Sequence, residues 1–324
     1  MEVLTMKKQI VPIYVLSVLV VLFGVSFTVG GEVETIKIQT PPTVGALPLF
    51  WMQEQGVAAD LFKLDLTVSP DHQRGLALLS QKDIEMLVTG VNVGAKAYNK
   101  GIDVRLVNTN IWGIDYLLTS GFKAESWSDL KGKTLSLPLM GGPLDFLARY
   151  FLIHNGVDPD DVEYVYAPSA NAAKSFQLGQ LDAIVLPEPM VTITLNNYDQ
   201  AVLSFDLQEE WAKLHDGDNR IPFVGLFVRG DFAQDNPELI DALSAYYQQG
   251  VEWVKANPAE AAKLAEKHFG QPAAVVQKSF SRINLNVYPD DEAQGLIEVY
   301  FNAIMELYPE MIGGKLPDEQ FYFQ

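Results

Sequence analysis

The chain has 324 residues, 48% of them apolar, enough for one large unit or two lobes each with its own core. Lys and Arg number 23 against 41 Asp and Glu, a net charge of −18, and the basic residues are scattered, so a nucleic-acid partner is excluded on charge. There is no cysteine, which excludes disulfides, thiolate zinc sites, a cysteine nucleophile and a lipid-bearing N-terminal cysteine.

Residues 1–31 stand apart from the rest. Lys7 and Lys8 precede an apolar run from Ile10 to Val29, closed by Gly30-Gly31. A basic start, an apolar stretch and small residues after it describe a secretory signal peptide. The run is long and lacks an Ala-x-Ala site, so a retained N-terminal membrane anchor stays open. Both readings put the body of the protein outside the cytoplasm, with a periplasmic location expected.

From Glu32 onward short apolar runs alternate with helix-length amphipathic segments. Strands are predicted at Ile36–Gln39, Leu64–Val68, Met86–Val88 and Val104–Val107, with helices at Leu47–Gln55 (stopped by Gly56), Gly75–Ser80 and about 93–100. Ile114–Thr119 reads as a strand leaving this first unit. A second rhythm follows: strands at Thr134–Leu137, Val162–Tyr166, Ala183–Leu186 and Ala201–Phe205, and helices at Pro143–Asn155, Ala170–Leu178 and Met190–Tyr198. Pro143 at the start and Gly156 at the end fit the usual helix asymmetry. Pro222–Arg229 is strand-like again. Four helices come after it, at Pro237–Ala256, Pro258–His268, Ala273–Arg282 and Asp291–Leu307, and 313–324 reads as a surface strap.

This rhythm predicts an α/β fold of two lobes, each a mostly parallel sheet flanked by helices. Residues 32–116 and 222–324 would form lobe one, and 117–221 lobe two. Two chain crossings, near 116–120 and 220–225, would act as a hinge. Ligands in such sheets sit at the carboxyl ends of strands, where helices begin. Four strand-to-helix turns hold those positions: Thr40–Ala46, Thr89–Asn92, Leu139–Pro143 and Leu186–Pro189. The candidate ligand-binding residues are Thr43, Gly45, Thr89, Asn92, Trp112, Gly141, Gly142, Asp145, Glu188 and Phe223. Trp51, Trp112, Tyr116 and Phe223 could supply flat walls, and Arg74 and Arg149 are the nearest basic side chains.

No catalytic set is legible. His72, His154, His215 and His268 lack metal-ligand spacing, and neither a nucleophile motif nor a phosphate or dinucleotide loop is present. No catalytic residue, metal or cofactor is expected.

Leu178-Gly179-Gln180-Leu181-Asp182-Ala183, followed by Glu188-Pro189, resembles a segment of the substrate-binding proteins of the nitrate, sulfonate, taurine and thiamine-pyrimidine import group. Ser128 to Lys133 and Leu76 to Gly90 add to the resemblance, which runs over nearly all of the chain after the leader. It implies the two-lobed periplasmic binding fold (type II), hinge closure on a small molecule and delivery to the membrane permease of an ABC importer, the binding protein itself being a monomer. It also implies that Glu188 faces the ligand. Asp145 and Glu188 stand at helix starts, where a carboxylate already satisfies the dipole and would compete with an anion, which favours a neutral or cationic planar ligand with N–H donors, such as a thiamine-pyrimidine precursor. A small organic anion such as a sulfonate is the alternative, and a periplasmic sensory protein or an enzyme on the same fold are others.

Overall fold

A computed structural model describes residues 33–323; the expected leader lies outside these residues. In chain order the elements are β1 (Glu34–Thr40), α1 (Leu47–Gln55), β2 (Phe62–Val68), α2 (His72–Ser80), β3 (Met86–Gly90), α3 (Val91–Asn99), β4 (Val104–Ile111) and β5 (Asp115–Ser120). Then come β6 (Thr134–Leu137), α4 (Pro143–His154), β7 (Glu163–Tyr166), α5 (Ser169–Gln177), β8 (Ala183–Pro187), α6 (Met190–Asn197), β9 (Ala201–Asp206) and α7 (Leu207–Leu214). The chain finishes with β10 (Val224–Arg229), α8 (Gly230–Asp235), α9 (Pro237–Ala256), α10 (Pro258–Phe269), α11 (Ala273–Ser279) and α12 (Asp290–Leu307).

The strands make two five-stranded sheets, ordered β2-β1-β3-β10-β4 and β7-β6-β8-β5-β9. In each sheet four strands run the same way and one is reversed. β10 is antiparallel to both β3 and β4, and β5 to both β8 and β9. The reversed strand is the one that enters from the other sheet, so the connection itself fixes its direction. Among the described residues, no helix is long and apolar enough to cross a membrane.

Helix α7 is absent from the sequence expectation. Its start is nonetheless well signalled, because the Asp206 carboxylate accepts from the amides of Gln208 and Glu209, an N-cap that the short Leu207–Leu214 stretch made easy to read as loop. The C-terminal strap carries a hidden anchor. Phe321 is fully buried, packing edge-on to Tyr98 and tilted against Phe227 and Phe301, while the Phe323 amide donates to Leu106 O at 2.9 Å along β4.

The connection between the sheets is broader than two crossings. Residues 112–114 join β4 to β5. On one side of this link Ile221 N donates to Trp112 O (2.8 Å) and Phe223 N to Ile111 O (2.9 Å). On the other side Trp112 N donates to Asn284 O (2.8 Å), Asn284 N to Gly113 O (2.9 Å) and Asn286 N to Asn110 O (3.0 Å). A third segment, 284–286, therefore lies along the first crossing, and the crossings sit at 111–115 and 221–224 rather than deeper in β5. Helix α12 adds a side-chain tie. Tyr300 packs edge-on to Phe146 of α4 and to Trp211 of α7, both at 5.9 Å, while neighbouring Phe301 packs on Phe321.

Candidate functional site

β4 runs out at Ile111 directly into β5, whose first residue, Asp115, pairs with Pro187 at the end of β8. At the other side of the same link Val224, the first residue of β10, pairs with Gly90 at the end of β3. The carboxyl edges of both sheets therefore converge on the crossings, and the turns that follow β1, β3, β6, β7 and β8 share that edge.

Several of these turns open helices without a side-chain cap. Thr43, ahead of the tight turn Val44–Ala46, makes no cap bond. Neither does Gly90 before α3, Gly142 before α4, nor Pro168 before α5. Helix α2 is capped by Asp71 and α7 by Asp206. First-turn amides without a cap can donate to another partner at the positive end of the helix dipole, with two exceptions already engaged: at α3 the Val91 amide donates to Phe223 O, and at α4 Asp145 stands in the first turn. The loop before α4 also carries two large apolar side chains in solvent, Leu139 (64% exposed) and Met140 (69%).

The predicted residues divide sharply. Thr43, Asn92, Gly141, Gly142 and Phe223 lie on the converging edge. Asn92 is nearly buried, and its side chain makes no hydrogen bond among the described residues. Phe223 is half-buried and gives its carbonyl to Val91 N at 3.1 Å. Gly45 serves packing: a Cβ there would stand 2.4 Å from Asn110 Oδ1, and its carbonyl accepts from the Tyr247 hydroxyl at 2.6 Å. Trp112 is buried in the hinge, its indole N–H donating to Thr109 O and Asn286 O, and it offers no wall to a ligand. Trp51 is stacked on Trp253 and Tyr116 is buried with its hydroxyl donating to Arg282 O at 2.8 Å.

Two expectations need correction. Asp145 is buried, and its oxygens accept from Gly141 N (2.8 Å), Arg149 Nε (2.9 Å) and the Tyr166 hydroxyl (3.0 Å). Arg149 lies over the Tyr164 ring at 4.0 Å, so that basic candidate is spent as well. Glu188, expected to point free into the cleft, has a fully buried side chain. Its carboxylate accepts from Thr192 N (3.0 Å), the Thr192 hydroxyl (2.9 Å) and Arg282 Nη1 (3.0 Å). Burial of a carboxylate demands such partners, and these come from the first turn of α6 and from a residue 94 positions away. Sequence spacing carried no signal for Arg282.

Burial shapes the remaining ionisable groups. It pushes Asp115 well above the ordinary carboxylate range, helped by the charge of Asp206, and raises Asp206 too. Asp115 Oδ1 has no hydrogen-bond partner. Beside them a cavity of about 330 Å³ on the crossing is lined by Gly113, Tyr116, Asp206, Asn219, Arg282 and Asn284, among others. His72, dismissed as a metal ligand, begins α2 at the same edge. Its Nδ1 lies 2.8 Å from the hydroxyl of Thr89, so Thr89 is turned to His72, and burial lowers the His72 pKa below its ordinary value.

Residues 30–267 match the NMT1-like family. The chain belongs to that family. It is 31% identical over 130 residues to the nitrate/nitrite binding protein NrtA of Synechococcus elongatus, a stretch covering 39% of this chain and 27% of that protein. It is 24% identical over 147 residues to a putative binding protein of Brucella abortus, covering 45% and 43%. The chain thus matches less than half the length of these curated relatives. Among solved structures, an ABC transporter from Parabacteroides distasonis superposes with a TM-score of 0.77 at 22% identity, covering 89% of this chain and 98% of that one. The periplasmic aliphatic sulphonate binding protein SsuA from Escherichia coli gives 0.75 at 17% identity, covering 90% and 98%. This NMT1-like chain has the two-sheet fold of periplasmic binding proteins.

Proposed function

We propose that this NMT1-like protein is the extracytoplasmic solute-binding component of an ABC importer, capturing a small organic anion between its two sheets and releasing it chemically unchanged. The observation that carries this reading is the set of uncapped helix starts, two from each sheet, on edges that converge at the crossings. The curated and structural relatives that are named for nitrate and sulphonate binding support it. The ligand class follows from the partners of Asp145 and Glu188. With Arg149 and Arg282 paired to them, neither carboxylate is a free acceptor, and the ground for a cationic or N–H-donating ligand is removed. What remains at the edge is amide donors at the positive ends of helices, which suit an oxyanion, and the exposed Leu139 and Met140, which suit an organic tail. A thiamine-pyrimidine precursor would find no carboxylate acceptor in Asp145 or Glu188, which are paired with Arg149 and Arg282.

Mass spectrometry of small molecules released from gently purified protein tests the reading, followed by calorimetric titration with alkanesulfonates and with an aminopyrimidine. A bound organic anion, and heat with the sulfonates only, is the expected result. Heat with the aminopyrimidine only would overturn the ligand class, and steady conversion of a bound ligand would overturn the assignment as a binder.

A further inference from the structure

His72 is the first residue of α2, two residues beyond Pro70 and four beyond the end of β2. Its ring abuts the end of β3, where the Thr89 hydroxyl lies 2.8 Å from Nδ1. Thr89 is fully buried, and that hydroxyl has no other hydrogen-bond partner among the described residues. A buried hydroxyl proton left without an acceptor is penalised, so Thr89 donates to Nδ1. This accounting places the imidazole proton on Nε2. Nε2 makes no hydrogen bond among the described residues, and it is not one of the sealed, unpartnered polar atoms. The ring is therefore a neutral imidazole, locked on one side and presenting a single N–H donor on its open side.

We infer that His72 is a ligand-contacting residue whose Nε2–H donates to an oxygen of the bound anion, with Thr89 as the positioning residue that fixes the tautomer. This rests on the anion reading above and adds to it a specificity element: a neutral donor favours an oxygen acceptor and has nothing to offer a ligand that presents only N–H groups. Burial of the ring, which depresses its pKa, keeps it in the neutral form near pH 7. The charged neighbours on its own helix are Asp71, whose Oδ1 already accepts from Arg74 N, and Arg74, whose side chain is exposed.

The probe is ethanesulfonate, titrated calorimetrically into the full chain as wild type, His72→Phe, His72→Gln and Thr89→Val. Loss of a hydrogen bond to a charged group predicts weakening by about 10- to 100-fold for His72→Phe. His72→Gln, whose amide N–H₂ stands near the Nε2 position, should recover most of the affinity. Thr89→Val should fall between, and imidazole ¹⁵N spectra should change from the single Nε2–H tautomer in wild type to a mixture. Melting curves of the free proteins separate folding defects from binding defects. If His72→Phe does not fold, Thr89→Val decides by the same two readouts. Wild-type binding with His72→Phe within threefold of it would overturn the role of His72 and leave the anion reading intact. No binding of any alkanesulfonate by wild type would overturn both. An Nδ1–H tautomer in wild type would refute the positioning by Thr89.

Discussion

Replacing Glu188 by Gln tests the central correction made by the structure. The carboxylate is buried and accepts from Thr192 N, the Thr192 hydroxyl and Arg282. In Glu188→Gln the amide oxygen keeps the bond to Thr192 N, and the Thr192 hydroxyl can reverse to accept. Arg282 then faces an N–H₂ group in place of an acceptor. The loss is one hydrogen bond between charged groups, which is worth about 1.5–3 kcal/mol. The Arg282 side chain is 27% exposed, so water recovers part of its solvation and the lower half of that range is expected. For a chain of this size that corresponds to a fall in Tm of roughly 2–4 °C in the ligand-free protein. Differential scanning calorimetry of wild type, Glu188→Gln, Arg282→Met and the double variant measures it. The cycle should show the double variant losing about 1–2 kcal/mol less than the sum of the singles, as for directly bonded partners. Ligand affinity should stay within about threefold, since both oxygens of the carboxylate are already taken by Thr192 and Arg282. An unchanged Tm with a tenfold or larger loss of affinity would refute the reasoning and return Glu188 to the ligand.

Asp145→Asn should lower the urea midpoint by an amount equivalent to about 2–4 kcal/mol, because it leaves Arg149 and the Gly141 amide competing for one remaining acceptor; an unchanged midpoint would show that the Asp145–Arg149–Tyr166 cluster is not structural. Asp115 has a folded-state pKa raised by burial, so it binds its proton more tightly folded than unfolded. Its contribution to stability is present below the ordinary carboxylate pKa and is lost as pH rises above it. Asp115→Asn should therefore be more stable than wild type at pH 8, with the advantage shrinking toward pH 4; a difference independent of pH, followed by thermal melts, would contradict this. Gly94→Ala would set a Cβ 2.2 Å from the buried Phe227 ring, and should cost about 1–3 kcal/mol of stability in chemical denaturation, whereas a neutral outcome would mean that α3 can move off β10.

The sequence by itself determined the alternation of strands and helices, and with it the two-layered α/β units. Runs such as Met86–Val88 and Ala183–Leu186 have a local hydrophobic signature, and Pro143 and Gly156 mark helix ends through backbone geometry alone. It also located the turns at the carboxyl ends of strands, since a turn's place depends only on the elements beside it. Partners were another matter. Read along the chain, Asp145 and Glu188 sit at helix starts, where a capping carboxylate and a ligand-facing one look alike. Arg149 is four residues from Asp145, which a helical period makes reachable, yet nothing in sequence tells whether the pair forms. Arg282 reaches Glu188 only because 284–286 lies along the crossing, and Thr89 meets His72 only because α2 starts beside the end of β3. The orientation of a side chain and the satisfaction of a buried charge depend on atoms brought together from distant segments, so the tertiary structure alone decided which polar groups at the edge are paired within the protein and which are not.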